Sequence, residues 1–63
     1  MEEHIKIYEI KHPAFRKDVE ILVQADSMDE AIKKFNERYE YDYDVETDRI
    51  EGCYLKYDLE VII

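Results

Sequence analysis

Asp42, Asp44, Glu46 and Asp48 alternate through one short stretch of this chain, with Glu40 and Glu51 at its ends. Alternating carboxylates are what a calcium loop offers to a hard cation. A helix–loop–helix calcium site opening at Asp42 requires glycine where the chain has Thr47, and glutamate where it has Cys53. Neither requirement is met, so no metal is assigned. Other chemistry is equally hard to assemble. Ser27 and Thr47 are the hydroxyl candidates, and Ser27 is better explained as a helix cap than as a nucleophile. Cys53 has no second cysteine to pair with and no zinc-ligand cluster around it, so it reads as a small buried apolar residue in a reducing compartment. His4 and His12 fall near a terminus and a turn, where surface positions are expected. Paired carboxylates for hydrolysis need a cleft and a positioned substrate, and a negative field repels phosphates. The reading is therefore no enzyme, no cofactor and no catalytic residues.

The same stretch suits binding. In an extended segment, alternate residues lie roughly 6.6 Å apart on one face. Asp42, Asp44, Glu46 and Asp48 would then form a row whose step resembles that between phosphates along a nucleic-acid strand. Tyr39, Tyr41 and Tyr43 sit between the acids, and tyrosine is a rigid amphipathic anchor favoured at interfaces. The expected partner-binding set is Tyr39, Glu40, Tyr41, Asp42, Tyr43, Asp44, Glu46, Asp48 and Glu51. Its expected partner is a basic protein surface, such as a groove that normally grips nucleic acid. The plainer alternative is a solvated loop whose tyrosines pack beneath a helix.

The elements that must position this stretch follow from hydrophobic periodicity. Residues 3–11 read as a strand whose apolar parity changes between Ile7 and Tyr8. Either both its faces are covered or a bulge falls there. Pro13 marks a turn. Phe15, Val19, Ile21, Val23 and Ala25 share one parity, which predicts a second strand over 15–25. Ser27 is a strong N-cap, and Glu30 three residues later can complete a capping box. Met28, Ala31, Ile32, Phe35 and Tyr39 recur at helical spacing and predict a helix over 28–39. Segment 40–51 is either a short strand or an ordered loop. Cys53, Leu55, Tyr57, Leu59, Val61 and Ile63 share one parity and predict a last strand over 53–63. A crossover through the helix brings the last strand beside the first. The fold class is α+β: a ββαβ domain spanning 1–63, with a three-stranded antiparallel sheet in order 2-1-3 and one helix on one face.

Size and charge bound the partners. A chain of 63 residues buries a small core and needs a staple. With one cysteine and no zinc ligands, self-association into a homo-oligomer is the expected staple. No apolar run approaches the roughly 18 residues of a membrane span, and residues 1–4 do not open like a signal peptide, so a cytosolic protein is expected. Seventeen acids against nine bases give a net charge of −8. Up to Ala25 there are five acids and four bases; from Asp26 onward there are twelve and five. Direct nucleic-acid binding is disfavoured, because neutralising phosphates needs clustered Lys and Arg. A basic partner is favoured, although solubility alone also accounts for the charge.

The run Val23-Gln24-Ala25-Asp26-Ser27-Met28-Asp29-Glu30-Ala31 enters the helix, Phe35-Asn36-Glu37-Arg38-Tyr39 ends it, and an acidic stretch follows. Over roughly Phe15 to Asp48 this pattern resembles the DpnD/PcfM-like family of small proteins from phages, conjugative plasmids and other bacterial mobile elements. The chain departs from that family in its unusually acidic 41–51 segment and in its extension through Cys53 to Ile63. The resemblance carries no activity and no functional residue. It implies a setting: a phage or mobile element in a bacterial cytosol, where short acidic proteins inhibit host defence nucleases, anti-CRISPR proteins among them. The expectation is an inhibitor of that kind, acting by nucleic-acid mimicry or by occluding a basic groove. The alternative is a homo-oligomeric accessory protein without catalytic activity.

Overall fold

A strand with apolar residues on both faces belongs in the middle of a sheet, and the first strand takes that place. The computed structural model describes residues 2–42 and 45–62. It contains β1 (Glu2–Lys11), β2 (Ile21–Gln24), α1 (Met28–Tyr39) and β3 (Gly52–Ile62). The strands form one antiparallel sheet in the order β2-β1-β3. This is the α+β fold expected, with α1 packed on one face. Ile63, expected to end the last strand, lies outside the described residues.

The helix begins where the sequence says it should. Ser27 has extended backbone angles, and its hydroxyl accepts from the Glu30 N–H at 3.2 Å. The return contact differs from the expected box: the Glu30 carboxylate accepts from Asp26 N–H, one residue beyond the cap, at 3.2 Å. That bond, with Lys34 at 3.2 Å, holds the Glu30 carboxyl below its ordinary range. Lys34 also donates to the Gln24 carbonyl at 2.7 Å, clamping α1 against the β2 edge. Ser27→Ala removes one capping bond and is expected to cost about 1 kcal/mol. Chemical denaturation measures it, and an unchanged midpoint would show that the cap contributes nothing.

Two core clusters join helix to sheet. Tyr8, Ala25 and Ala31 form one, with Val23 and Cys53 against it. Ile10, Phe35 and Val45 form the other, flanked by Phe15, Ile21, Tyr39 and Ile50. Cys53 is partly buried at the junction of both, and burial raises its thiol pKa.

The structure corrects the second strand. Ile21–Gln24 pairs with β1 and the Ala25 N–H still bonds to the Lys6 carbonyl at 3.1 Å, but residues 15–20 leave the sheet and turn instead. The Phe15 N–H bonds to the His12 carbonyl and the Val19 N–H to the Arg16 carbonyl. The reason is aromatic. Phe15 swings inward to meet His12, Phe35 and Tyr39, with ring centroids 5.3–6.4 Å away. His12 is corrected with it, from surface to core. It is 6% exposed; its Nδ1 accepts from Ala14 N–H at 3.0 Å and its Nε2 donates to the Glu46 carbonyl at 2.6 Å. Both ring nitrogens are thereby used in the neutral tautomer, and the ring ties the β1–β2 loop to the acidic segment.

β3 is also corrected, in a way that bears on function. Tyr8 pairs with Leu55 and Ile7 with Tyr57, so Lys56 is an extra residue in β3. The bulge foreshadowed at Ile7/Tyr8 therefore exists, with its inserted residue on the partner strand. Cys53 and Leu55 keep the parity of Ile10 and Tyr8, toward α1, while Tyr57, Leu59 and Val61 pair with Ile7, Ile5 and Glu3 on the other face. The apolar parity of the sheet thus reverses half-way along. Beyond the reach of β2 only β1 and β3 continue, as a two-stranded ribbon, and the molecule measures 43 × 22 × 14 Å.

Candidate functional site

Two surfaces stand out: the end carrying the acidic segment, and the sheet face turned away from α1. Described residues of 40–51 form turns, not an extended row. Asp42 N–H bonds to the Tyr39 carbonyl, Val45 N–H to Asp42 and Arg49 N–H to Glu46. The turns exist because Val45 must reach the core, where it is 9% exposed beside Ile10 and Phe35. The even spacing of a strand is therefore not what this segment adopts.

The expected partner-binding residues separate accordingly. Tyr39 is half-buried, its ring 4.9 Å from Phe35 and 5.3 Å from Phe15, with the Arg38 guanidinium 5.3 Å from its centroid. It packs against the core and keeps part of its surface exposed. Tyr41 is 87% exposed. Glu46 pairs with Arg49 at 3.5 Å, both exposed. Glu40, Asp42, Asp48 and Glu51 are exposed, and the Glu51 N–H bonds to the Lys11 carbonyl at 2.8 Å. Tyr43 and Asp44 lie outside the described residues. Among the described residues, no group of three or more His, Cys, Asp or Glu is placed to hold a metal ion. Nor is any described helix long and apolar enough to cross a membrane.

Beside this segment a shallow groove runs along α1, lined by Asp29, Ile32, Lys33, Asn36, Glu37, Glu40 and Thr47. The Asn36 Oδ1 is buried there with no hydrogen-bond partner among the described residues. The Glu37 and Glu40 side chains are exposed and form no ion pair among those residues. An orphaned acceptor, three carboxylates (Asp29, Glu37 and Glu40) against the single Lys33, and the apolar Ile32 together favour a cationic donor on an aliphatic stem.

The opposite sheet face is built around Glu9. This residue is 2% exposed, yet it sits on the face without a helix, opposite Leu22 on β2 and Tyr54 on β3. Lys11 covers one carboxylate oxygen at 2.6 Å and Lys56 the other at 2.9 Å, and Lys56 reaches Glu20 at 2.9 Å as well. The bonds from Lys11, then Lys56 and Tyr54, hold the Glu9 carboxyl down to about 2 against the opposing effect of desolvation. Glu9 in turn raises Lys11, and Glu20 with Glu9 raises Lys56. The Tyr54 phenol is likewise held protonated by its bond to Glu9. The bulge makes this possible, because Lys56, the extra residue between the Leu55 and Tyr57 pairs, reaches the Glu9 carboxylate diagonally past Tyr54 and keeps its ammonium 5.6 Å from the Tyr57 ring centroid.

Compared with models of known protein families, with curated proteins and with solved structures, the chain matches none.

Around the ion network the open face is apolar. Leu22, Tyr54, Tyr57 and Leu59 are each 44–51% exposed, and Ile5, Ile7 and Val61 are half-buried beside them. Sequence reading missed this surface. The available signals were the parity switch in β1 and a lone lysine, Lys56, inside the apolar alternation of β3.

Proposed function

We propose that this chain is a small acidic protein-interaction module that binds a basic protein surface and acts by occupying it. It has no catalytic role in this reading. The observation that carries it is the α1 groove, where the buried Asn36 Oδ1 and the exposed Glu37 and Glu40 carboxylates, without a partner among the described residues, call for a Lys or Arg from a partner. Exposed Asp48 and Tyr41 extend the same end of the molecule. A groove that normally grips nucleic acid supplies such cations in number, and the excess of acids over bases steers the encounter. The resemblance to proteins of mobile elements supplies the setting: inhibition of a host defence nuclease in a bacterial cytosol, in the manner of anti-CRISPR proteins.

The test is capture from bacterial lysate followed by competition. The expected partner is a nucleic-acid-binding protein, displaced by duplex DNA and released at about 1 M salt, where screening acts over roughly 3 Å. Glu37→Lys combined with Glu40→Lys is expected to abolish capture, while Glu60→Lys on the distant ribbon leaves it intact. Capture that survives DNA, salt and the double variant overturns the reading. The uncovered apolar sheet face favours the second reading, a homo-oligomeric accessory protein, for a separate reason.

A further inference from the structure

We infer that the open face of the sheet is where a second copy of this chain docks, face to face about a two-fold axis. The inference rests on the sheet and not on the acidic groove, so it stands or falls apart from the function proposed above.

The first argument is the reversal of apolar parity. On the half of the sheet under α1, Tyr8, Ile10, Cys53 and Leu55 face the helix. Past the bulge at Lys56, the apolar residues of both strands move together to the other face: Ile5 and Ile7 of β1 with Tyr57, Leu59 and Val61 of β3. Two strands that switch faces in register were not left exposed by accident of one position. With Leu22 and Tyr54 they make one continuous surface, and monomeric proteins rarely expose a large one.

The second argument is area. A folded chain of 7.7 kDa is expected to expose about 4,300 Å². This one exposes 5056 Å². The surplus, on the order of 700 Å², is close to the roughly 800 Å² per partner of a standard interface.

The third argument is charge, and it selects the occupant. The molecule carries −8. The open face carries three acids, Glu3, Glu9 and Glu20, and two bases, Lys11 and Lys56. Glu9 and Glu20 are already neutralised by those two lysines within one protomer. Such a face attracts no basic partner. It is, however, the surface on which two copies of a strongly acidic chain can meet without bringing their carboxylates together, since the α1 groove and segment 40–51 stay outside. A two-fold arrangement is self-complementary, as the commonest oligomers are. The alternative of adding a strand to the free β3 edge is opposed by the bulge and by Asp58 and Glu60 along that edge.

Sedimentation equilibrium on the whole chain, from roughly 1 µM to roughly 1 mM, tests this directly against the micromolar-or-tighter range of specific interfaces. A dimer of twice 7.7 kDa is expected, and raised salt is expected not to weaken it. Leu59→Lys places an ammonium in the buried centre and is expected to weaken the dimer by roughly tenfold or more. Because Leu59 is 51% exposed in one protomer, the variant should keep its fold, which circular dichroism checks. Glu60→Lys, on the other face of the same strand, is expected to leave the dimer unchanged. Filtered nuclear Overhauser spectra of mixed labelled and unlabelled wild-type chains supply a readout that needs no variant: contacts between copies are expected at Ile5, Tyr57 and Leu59. A monomer throughout the range overturns the inference. So does a dimer whose contacts between copies fall on α1 or on 40–51.

Discussion

Phe35→Ala is expected to unfold this protein or bring it to the edge of unfolding. Phe35 is 1% exposed. Its ring lies 4.9 Å from Tyr39, 5.7 Å from His12 and 6.4 Å from Phe15, measured between centroids, and it clusters with Ile10 and Val45. One side chain thus joins α1 to β1, to the β1–β2 loop and to the segment that precedes β3. Truncating a buried phenylalanine costs about 3–5 kcal/mol, the transfer loss plus the cavity left behind. A chain of 63 residues has roughly 3–9 kcal/mol in total at about 0.05–0.15 kcal/mol per residue. The helix cannot make up the difference, because 12 residues are too few for a stable isolated helix. Urea denaturation followed by circular dichroism measures the loss. A cooperative transition at the wild-type midpoint would remove Phe35 from the core and with it the packing of helix on sheet.

Phe35 was also the residue most legible in the sequence. Ser27 and the spacing of Met28, Ala31, Ile32, Phe35 and Tyr39 specify the helix locally, since cap and period are properties of neighbouring residues. The result matches to the residue, Met28–Tyr39. Strand periodicity is less self-sufficient. Phe15 and Val19 alternate with charged residues as a strand would, yet Phe15 leaves the sheet because three aromatic rings accept it elsewhere. That demand is tertiary and has no local signature. Segment 40–51, open in the sequence between a short strand and an ordered loop, resolves to the loop for the same reason: its alternation is real, but Val45 reaches the core through turns.

The hidden surface has a different cause. In β3 the odd residues are apolar from Cys53 to Val61, which looks like one wet and one buried face. That inference holds only for a regular strand. One extra residue at Lys56 splits the set, sending Cys53 and Leu55 to one face and Tyr57, Leu59 and Val61 to the other. A bulge is defined by register against a partner strand, so β3 could not show it alone. β1 carries a matching signal, the switch from Ile7 to Tyr8, which alone fits either a bulge or a strand covered on both faces. Read together, the two strands contain the whole pattern; read singly, neither does.

Glu9 makes the second large prediction, a steep loss of stability in acid. The Glu9 carboxyl ionises near 4.5 in the unfolded chain and near 2 in the folded protein, because Lys11, Lys56 and Tyr54 bond to its anion. A depressed folded value means that its stabilisation is fully present above about 4.5 and drains away as pH falls toward about 2. The lowered Glu30 acts in the same direction. The raised lysines do not enter this window; their contribution is complete below their ordinary values and is lost only in alkali. A competing effect runs the other way. Between neutrality and the isoelectric point near 4.6, titrating exposed acids relieve the repulsion of a chain carrying −8. Salt separates the two. Repulsion among exposed charges is screened, whereas contacts of 2.6 and 2.9 Å to a carboxylate 3% exposed are screened far less. Stability is therefore expected to rise modestly from pH 7 to about 4.6 at low salt, to lose that rise at high salt, and to fall below it in either case. Glu9→Gln removes the anion while keeping the shape. It is expected to be less stable at neutral pH and flatter across the acid window, its urea midpoint converging on the wild type near pH 2. Parallel curves for the two proteins would mean that the Lys11–Glu9–Lys56 network does not stabilise the fold, and that the open face is not held in a neutral state by its own charges.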